Sequence, residues 1–417
     1  GSAAVSPRAS RRTGATSRSA VPGSTPSERE IVVRILIVTL CLLIAAALLV
    51  LALAPAQVER SMNVVLPHEP RAIAPAAARL HETLRIADWH ADSLLWKRDL
   101  TERSDRGHVD LPRLREGNVT LQVFTAVTKS PRGQNYLENT ADSDNITLLA
   151  VAQGWPPRTW TSLAERALYQ AEKLHRFADE APGALRVVAD RRGLEAALAA
   201  RRGGRTPVLG VLGIEGMHAL DGEAANLDRL WDAGYRVFGL QHFFDNALGG
   251  SLHGTSDAGL TAFGRDMVAA IERRGGIIDL AHSSPQVVRD VLAMTERPPI
   301  VSHTGLRGAC ASPRNLPDAL VREIAERGGL VGIGYWEGAV CDPAPQAIAA
   351  TLVHGREVLG IDALSLGSDY DGSTTVAFDT SELALLTEAL LGAGFAEAEV
   401  RAVMGENTLD FLGRQLP

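Results

Sequence analysis

The stretch Asp88-Trp89-His90-Ala91-Asp92 closes a short apolar run. On a strand, alternate residues share a face, so His90 and Asp92 can reach one ion together. Other apolar runs end in the same kind of residue: Glu215 after 208–214, His242 after 236–240, His282 after 276–280, His303 after 299–301 and Asp369 after 363–366. Four of the eleven histidines fall at such ends. Imidazoles and carboxylates without a thiolate form a donor set suited to Zn2+, with Mn2+ and Fe2+ as alternatives. Three His, one Asp and one Glu among them already make five ligands, more than one catalytic zinc takes, and two ions bridged by a carboxylate, about 3.5–4 Å apart, fit better. Taken singly, each histidine has a plainer reading as a hydrogen-bonded structural residue. That reading weakens if all the ends meet at one cavity, where charged groups must pair, shift their pKa or bind a cation.

The elements that could bring them together recur along the chain. Eight short apolar runs, at 84–87, 119–124, 208–214, 236–240, 276–280, 299–301, 330–333 and 363–366, alternate with helical stretches. Several helices end in glycine just before the next run: Gly203-Gly204, Gly234, Gly275, Gly328 and Gly360. A helix commonly stops in a left-handed residue, which costs least without a Cβ. Thr261 and Ser284, the latter followed by Pro285, read as N-caps. Strand–helix alternation predicts an α/β fold with a parallel sheet, and eight units predict a (β/α)8 TIM-type barrel with its chemistry at the strand C-termini. A doubly wound open sheet is the runner-up, but no GxGxxG follows the first run. Residues 126–206 read as an inserted α/β segment after the second strand, at the active end.

Composition narrows the class. Of 417 residues, 46% are hydrophobic and 22% charged, which excludes wholesale disorder. A net charge of −7 leaves no basic footprint for nucleic acid. Three cysteines without a CxxC pair exclude a disulfide-built scaffold and a structural zinc knuckle. Only Lys97, Lys129 and Lys173 among the 42 basic residues are lysine, a bias that points to a GC-rich bacterial genome.

The amino-terminal part differs. Residues 1–30 read as a disordered cytoplasmic tail rich in Ser, Arg, Pro and Gly. Residues 35–54 carry no charge, enough at 1.5 Å per residue for a ~30 Å hydrocarbon core, and predict a transmembrane anchor or signal anchor over 31–56. Arginines precede the run, which leaves the N-terminus inside and the rest outside. An uncleaved anchor is favoured over cleavage at Ala54-Pro55-Ala56. Residues 57–78 read as a linker and 79–417 as the barrel. The expectation is a single-pass protein of a bacterial cell membrane with its main domain extracytoplasmic.

In order along the chain, Asp88-x-His90-x-Asp92, Gly213-Ile214-Glu215-Gly216, Ile278-Asp279-Leu280-Ala281-His282, Ser302-His303, Arg314-Asn315-x-Pro317-Asp318 and Gly367-Ser368-Asp369-Tyr370-Asp371-Gly372 resemble the membrane (renal-type) dipeptidases, peptidase family M19. The resemblance implies a binuclear zinc dipeptidase acting on free dipeptides. His90 and Asp92 would hold one ion and His282 and His303 the other, with Glu215 bridging them together with a water or hydroxide. Asp369 matches the family's acid/base position, in preference to Asp371. His242 matches the residue that steadies the oxyanion, and Arg314 the one that binds the substrate carboxylate. Cys310 and Cys341 match family cysteines, implying a disulfide, and the family also implies a homodimer as an option. His218 and His253 match nothing and read as bland or rim residues.

Trp89, residues 92–96 and the loop 248–260 depart from better-known animal sequences and are expected to border the pocket. Two other readings compete. One is another binuclear metal amidohydrolase acting on a cyclic amide, lactone or phosphoester, although such barrels usually open with His-x-His. The other is a non-catalytic exported binding protein on the same barrel, disfavoured because every matched position is filled.

Overall fold

The computed structural model describes residues 2–4, 14, 27–201 and 207–417, and the chain divides into two units, 1–50 and 51–417. Most of the tail expected over 1–30, and the Gly203-Gly204 pair, lie outside the described residues.

Eight parallel strands form the second unit's centre: β1 (Ile86–Ala91), β2 (Val119–Val127), β3 (Val208–Glu215), β4 (Tyr235–Gly239), β5 (Ile277–Asp279), β6 (Ile300–Thr304), β7 (Leu330–Ile333) and β8 (Leu364–Leu366). Each pairs with the next, and β8 returns to β1 through Leu366 opposite Asp88, so the sheet closes into a TIM-type barrel. Every one of the eight runs is a strand. Both faces of β2 and β3 are buried throughout, as a helix-covered parallel sheet requires. One core cluster draws Trp89, Val123, Val211, Val237, Ile277, Ile300 and Leu330 together with Phe411 and Leu412 of the C-terminal helix Asn407–Gln415. Trp89 meets the Phe411 ring edge-on at 5.8 Å. It is therefore core and does not border the pocket, because its strand turns that side chain inward.

The helix signals hold. Thr261 Oγ1 accepts from Gly264 N–H, Ser284 Oγ accepts from Val287 N–H, and Gly275 closes Ala262–Arg274 at φ 77°. The segment between β2 and β3 contains helices Ile146–Gln153, Leu163–Glu180 and Arg191–Ala200, and a strand Leu185–Val187 that adds to β3.

The amino-terminal helix is Glu28–Met62. Many of its apolar side chains are exposed, including Ile35, Leu36, Leu40, Leu42 and Leu43. Among the described residues no helix is long and apolar enough to cross a membrane; the side chains at 47, 48, 50 and 52 are not described. The stretch read as a linker carries structure. The helix runs on to Met62, Val64–Val65 pairs in parallel with Thr375–Val376, and Pro75–Thr83 is helical. Glu59 explains the extension: it is buried and bonded to Arg98 and Arg106.

Candidate active site

The predicted ligands meet at one end of the barrel. His90 lies in β1 with Asp92 just after it, Glu215 ends β3, and His303 lies in β6. His242, His282 and Asp369 each follow their strand by three residues. His282 (φ 61°) and Asp369 (φ 57°) sit in the left-handed region, sparsely populated for side-chain-bearing residues and frequent at functional sites.

Glu215 is the hub. Its Oε1 lies 3.2 Å from His282 Nε2, 3.4 Å from His303 Nε2 and 3.6 Å from His90 Nε2, while Oε2 lies 3.4 Å from His242 Nε2. His90 Nε2 is also 3.4 Å from Asp92 and 3.8 Å from Asp369. His282 and His303 bring their Nε2 atoms within 2.9 Å of each other. All these side chains are buried.

Three carboxylates in so dry a place must take up protons or find a cation. Burial, then the Asp92 charge, pushes the Glu215 carboxyl well above its ordinary value. Burial pushes Asp369 to about 7, with Asp92 adding to the rise and His90 and Arg314 opposing it. Burial opposes charge on His90, but Asp92 and Glu215 carry its pKa up to about 10. Burial and the neighbouring Arg314 push His282 well below its usual value, and burial, His90 and Arg314 do the same for His303. These neutral imidazoles present lone pairs, as metal ligands do.

The donors fit one or two divalent cations. The sets His90–Asp92–Glu215 and Glu215–His242–His282 each place three donor atoms within 4.8 Å of one another. His90 Nε2 and His282 Nδ1 are buried without hydrogen-bond partners. A third such set, His90–Asp279–His303, brings in a residue assigned no role in the sequence. Asp279 Oδ1 accepts from the N–H groups of Ala281 and Ser302, which anchors that carboxylate.

Other supports escaped sequence reasoning. The Ser302 hydroxyl lies 2.8 Å from His303 Nδ1 and 3.4 Å from His90 Nδ1, so one side chain orients both rings. Asp88 accepts from His90 N–H, Gln122 Nε2, Ser368 N–H and Ser368 Oγ, fixing the start of the first motif to the last. Both sit inside quoted motifs, but hydrogen-bond orientation has no periodic signal.

The remaining predicted residues fall as follows. Arg314 is buried, donates to His303 O at 3.0 Å, lies 3.2 Å from His282 Nε2 and stacks over Trp336. It does not cap the helix Asp318–Glu326, which has no side-chain cap. His242 Nδ1 lies 3.3 Å from the Lys129 carbonyl, which can only accept, so Nδ1 carries the proton and Nε2 faces the cavity. Asp371 turns away from the site: its carboxylate accepts from Ser93 Oγ, His108 N–H and Arg98. Cys310 and Cys341 form a disulfide with Cα atoms 5.6 Å apart. His253 meets His282 edge-on at 5.4 Å, and His218 packs against Phe244, so both are buried beside the site rather than at its rim.

A cavity of about 620 Å³ opens onto this cluster, lined by Asp92, Glu215, His242, His282, Arg314 and Asp369 and also by Tyr136, Phe243 and Trp336. Leu95 and Trp96 line it as expected of residues 92–96; the loop 248–260 does not. Trp336 Nε1 donates to the Tyr136 hydroxyl across the cavity wall.

A parallel eight-stranded barrel whose strand ends converge His, Asp and Glu donors around one buried carboxylate defines the class of metal-dependent barrel hydrolases. Residues 75–414 match the model of the membrane dipeptidases, peptidase family M19. The chain belongs to that family and is a metal-dependent dipeptidase, a hydrolase acting on peptide bonds. Solved structures agree on the fold. Dipeptidase AC, described as a metallopeptidase of family M19, superposes with a TM-score of 0.67 at 24% identity, covering 80% of this chain and 99% of that one. A metallopeptidase from Rhodobacter sphaeroides, liganded with a phosphinate mimic of the dipeptide L-Ala-D-Ala, gives 0.64 at 23% identity, covering 80% and 99%. The probable dipeptidase PvdM from Pseudomonas aeruginosa gives 0.67 at 17% identity, covering 81% and 97%.

Proposed function

We propose that this dipeptidase hydrolyses free dipeptides at a binuclear zinc site, with His90 and Asp92 holding one ion, His282 and His303 the other, and Glu215 shared. The observation that carries the reading is Glu215 Oε1, which faces three imidazole Nε2 atoms at 3.2–3.6 Å. Bound there, two divalent cations would supply an acidified water near neutral pH and polarise the scissile carbonyl.

The chain's own residues do the rest. Asp369, in the cavity wall and held near pKa 7 by burial, suits removal of a proton from the attacking water and its return to the leaving amine. Arg314 offers a guanidinium fork to the substrate carboxylate, held by its bond to His303 O and by the Trp336 ring 5.3 Å away. His242 presents Nε2 to the cavity; with Nδ1 turned to Lys129 O and burial pushing the ring down to about 4, it donates to an oxyanion only if the developing charge draws a second proton onto Nε2. The dipeptide mimic held by the Rhodobacter sphaeroides relative supports the substrate class.

The reading includes a single-pass anchor in a bacterial membrane with the barrel outside. It rests on the uncharged residues 35–54 and on the exposed apolar side chains of the helix that contains them. Fractionation of cells expressing the full chain checks it: the protein is expected with membranes and resistant to a salt wash.

For the site, metal analysis and turnover on L,L, L,D, N-blocked and cyclic substrates are measured on the full chain and on Asp369→Asn. We expect two metal equivalents in both, cleavage of free dipeptides by the native chain, and a kcat about 10²–10⁴-fold lower in the variant. Cleavage of blocked or cyclic amides alone, or full activity in Asp369→Asn, overturns the assignment.

A further inference from the structure

The cavity has a wall built from residues outside the family match. Ala54, Pro55, Val58 and Met62 line it together with Asp92, Glu215 and Asp369. All four precede residue 75, where the family match begins. Residues 54, 58 and 62 are four apart, so they form one stripe on the helix. Ile146, Leu148 and Leu149 of the inserted helix Ile146–Gln153 line the same cavity.

The wall is fastened at three points. Glu59 is 1% exposed and accepts from Arg98 and Arg106. Arg98 also donates to Asp371, two residues beyond Asp369. Asn63 Oδ1 accepts from Ser373 N–H at 2.9 Å, and Val64–Val65 pairs with Thr375–Val376. Gly372, Ser373 and Thr374 line the cavity as well, so the helix end and the loop after β8 form one continuous surface.

The cavity thus joins the buried donor cluster to a patch of apolar side chains. Val58 is 39% exposed, Met62 41% and Leu148 63%, although each lines the substrate cavity. Apolar groups left part-exposed beside a reaction centre gain most when a ligand's apolar group covers them.

We propose that the last turns of the amino-terminal helix form a specificity subsite for a large apolar side chain of the dipeptide, with Val58 and Met62 as its specificity-determining residues. This rests on the dipeptidase reading above. A substrate side chain such as leucine offers more apolar surface to cover Val58 and Met62 than an alanine methyl does.

The test uses the full metal-loaded chain and the exposed-site variants Val58→Asn, Met62→Gln and their combination. kcat/KM is measured for Ala-Ala, Leu-Ala and Ala-Leu, and binding of phosphinate dipeptide mimics bearing alanine or leucine side chains is measured by calorimetry. In the double variant, the preference for a leucine substrate over Ala-Ala is expected to fall by about tenfold or more, chiefly through KM, with metal content intact. The leucine mimic is expected to lose affinity by a similar factor relative to the alanine mimic. Turnover with the leucine-to-alanine ratio unchanged overturns this inference alone. A native chain that neither cleaves a dipeptide nor binds either mimic overturns the dipeptidase reading and the inference with it.

Discussion

Asp369 and Asp371 are two residues apart and have opposite environments. Asp369 lines the cavity, whereas Asp371 is tied to Ser93, His108 N–H and Arg98 on the far side of the turn. Burial raises the pKa of the first, while Arg98, His108 and the hydrogen bonds outweigh burial and lower that of the second. His108 completes the buried side. Its Nδ1 accepts from Asp371 N–H, so it holds no proton there, and burial, with Arg98 adding to it, pushes the ring down to about 4. Between that value and 6.5 the unfolded chain binds the extra proton and the folded chain does not, so stability rises with pH across this window. The contribution is complete above pH 6.5 and is lost as pH falls towards 4. Comparing the native chain with His108→Gln by urea unfolding at pH 7 and pH 4.5 isolates it, because acid effects on the metal site are common to both. The native advantage is expected to shrink by about 2 kcal/mol at the lower pH; a flat difference refutes the assignment. At this scale the donor types were legible because His90, Asp92, Glu215, His282 and His303 sit at strand ends. Ser302 and Asp88 were not, because their work is to orient neighbours through contacts that exist only when the closed barrel brings β1, β6 and β8 around one interior.

Strands were the most readable elements, since eight β-branched runs with glycine-ended helices between them admit few folds. Their ends were less so. The first run, read as stopping at residue 87, continues to Ala91 with a register shift between Asp88 and Ala91, and β6 shifts between Val301 and Thr304. These irregularities fall on the segments carrying His90 and His303, and a bulge re-aims a side chain without changing the sequence pattern around it. The elements after β6 and β7 are joined by Cys310–Cys341, which closes a loop of 31 residues that includes Arg314. Replacing both cysteines by serine is expected to cost about 3–4 kcal/mol, by release of loop-closure entropy in the unfolded chain. The check is a denaturant midpoint that falls in the double variant and, in the native chain, only after reduction. A native midpoint insensitive to reductant contradicts it.

For the whole molecule, the informative surprise is the helix end. Residues 57–78 have the Pro- and Ala-rich composition of a linker, and Glu59 reads as the first charge beyond an apolar run. Neither feature announces a partner, because Arg98 and Arg106 lie some forty residues away in sequence. In the fold Glu59 is sealed between them and Arg98 continues to Asp371, so the start of the second unit is clasped to the loop that carries Asp369. One residue along, Arg60 pairs with Asp105 where both side chains are largely solvated, 44% and 65% exposed. Physical chemistry separates these neighbours. Removing Glu59 leaves guanidinium N–H groups of Arg98 and Arg106 without their acceptor, which costs about 1–3 kcal/mol even though Arg98 keeps Asp371, while a solvated pair contributes about 0–1 kcal/mol. Glu59→Ala should therefore destabilise the chain strongly and Arg60→Ala hardly at all, as read by urea unfolding of the full protein. Limited proteolysis adds the location: cleavage between residues 51 and 75 should accelerate in Glu59→Ala only. Equal effects from the two substitutions would mean the helix end is not clasped, and the cavity would then lose the wall that sets it apart from a bare family barrel.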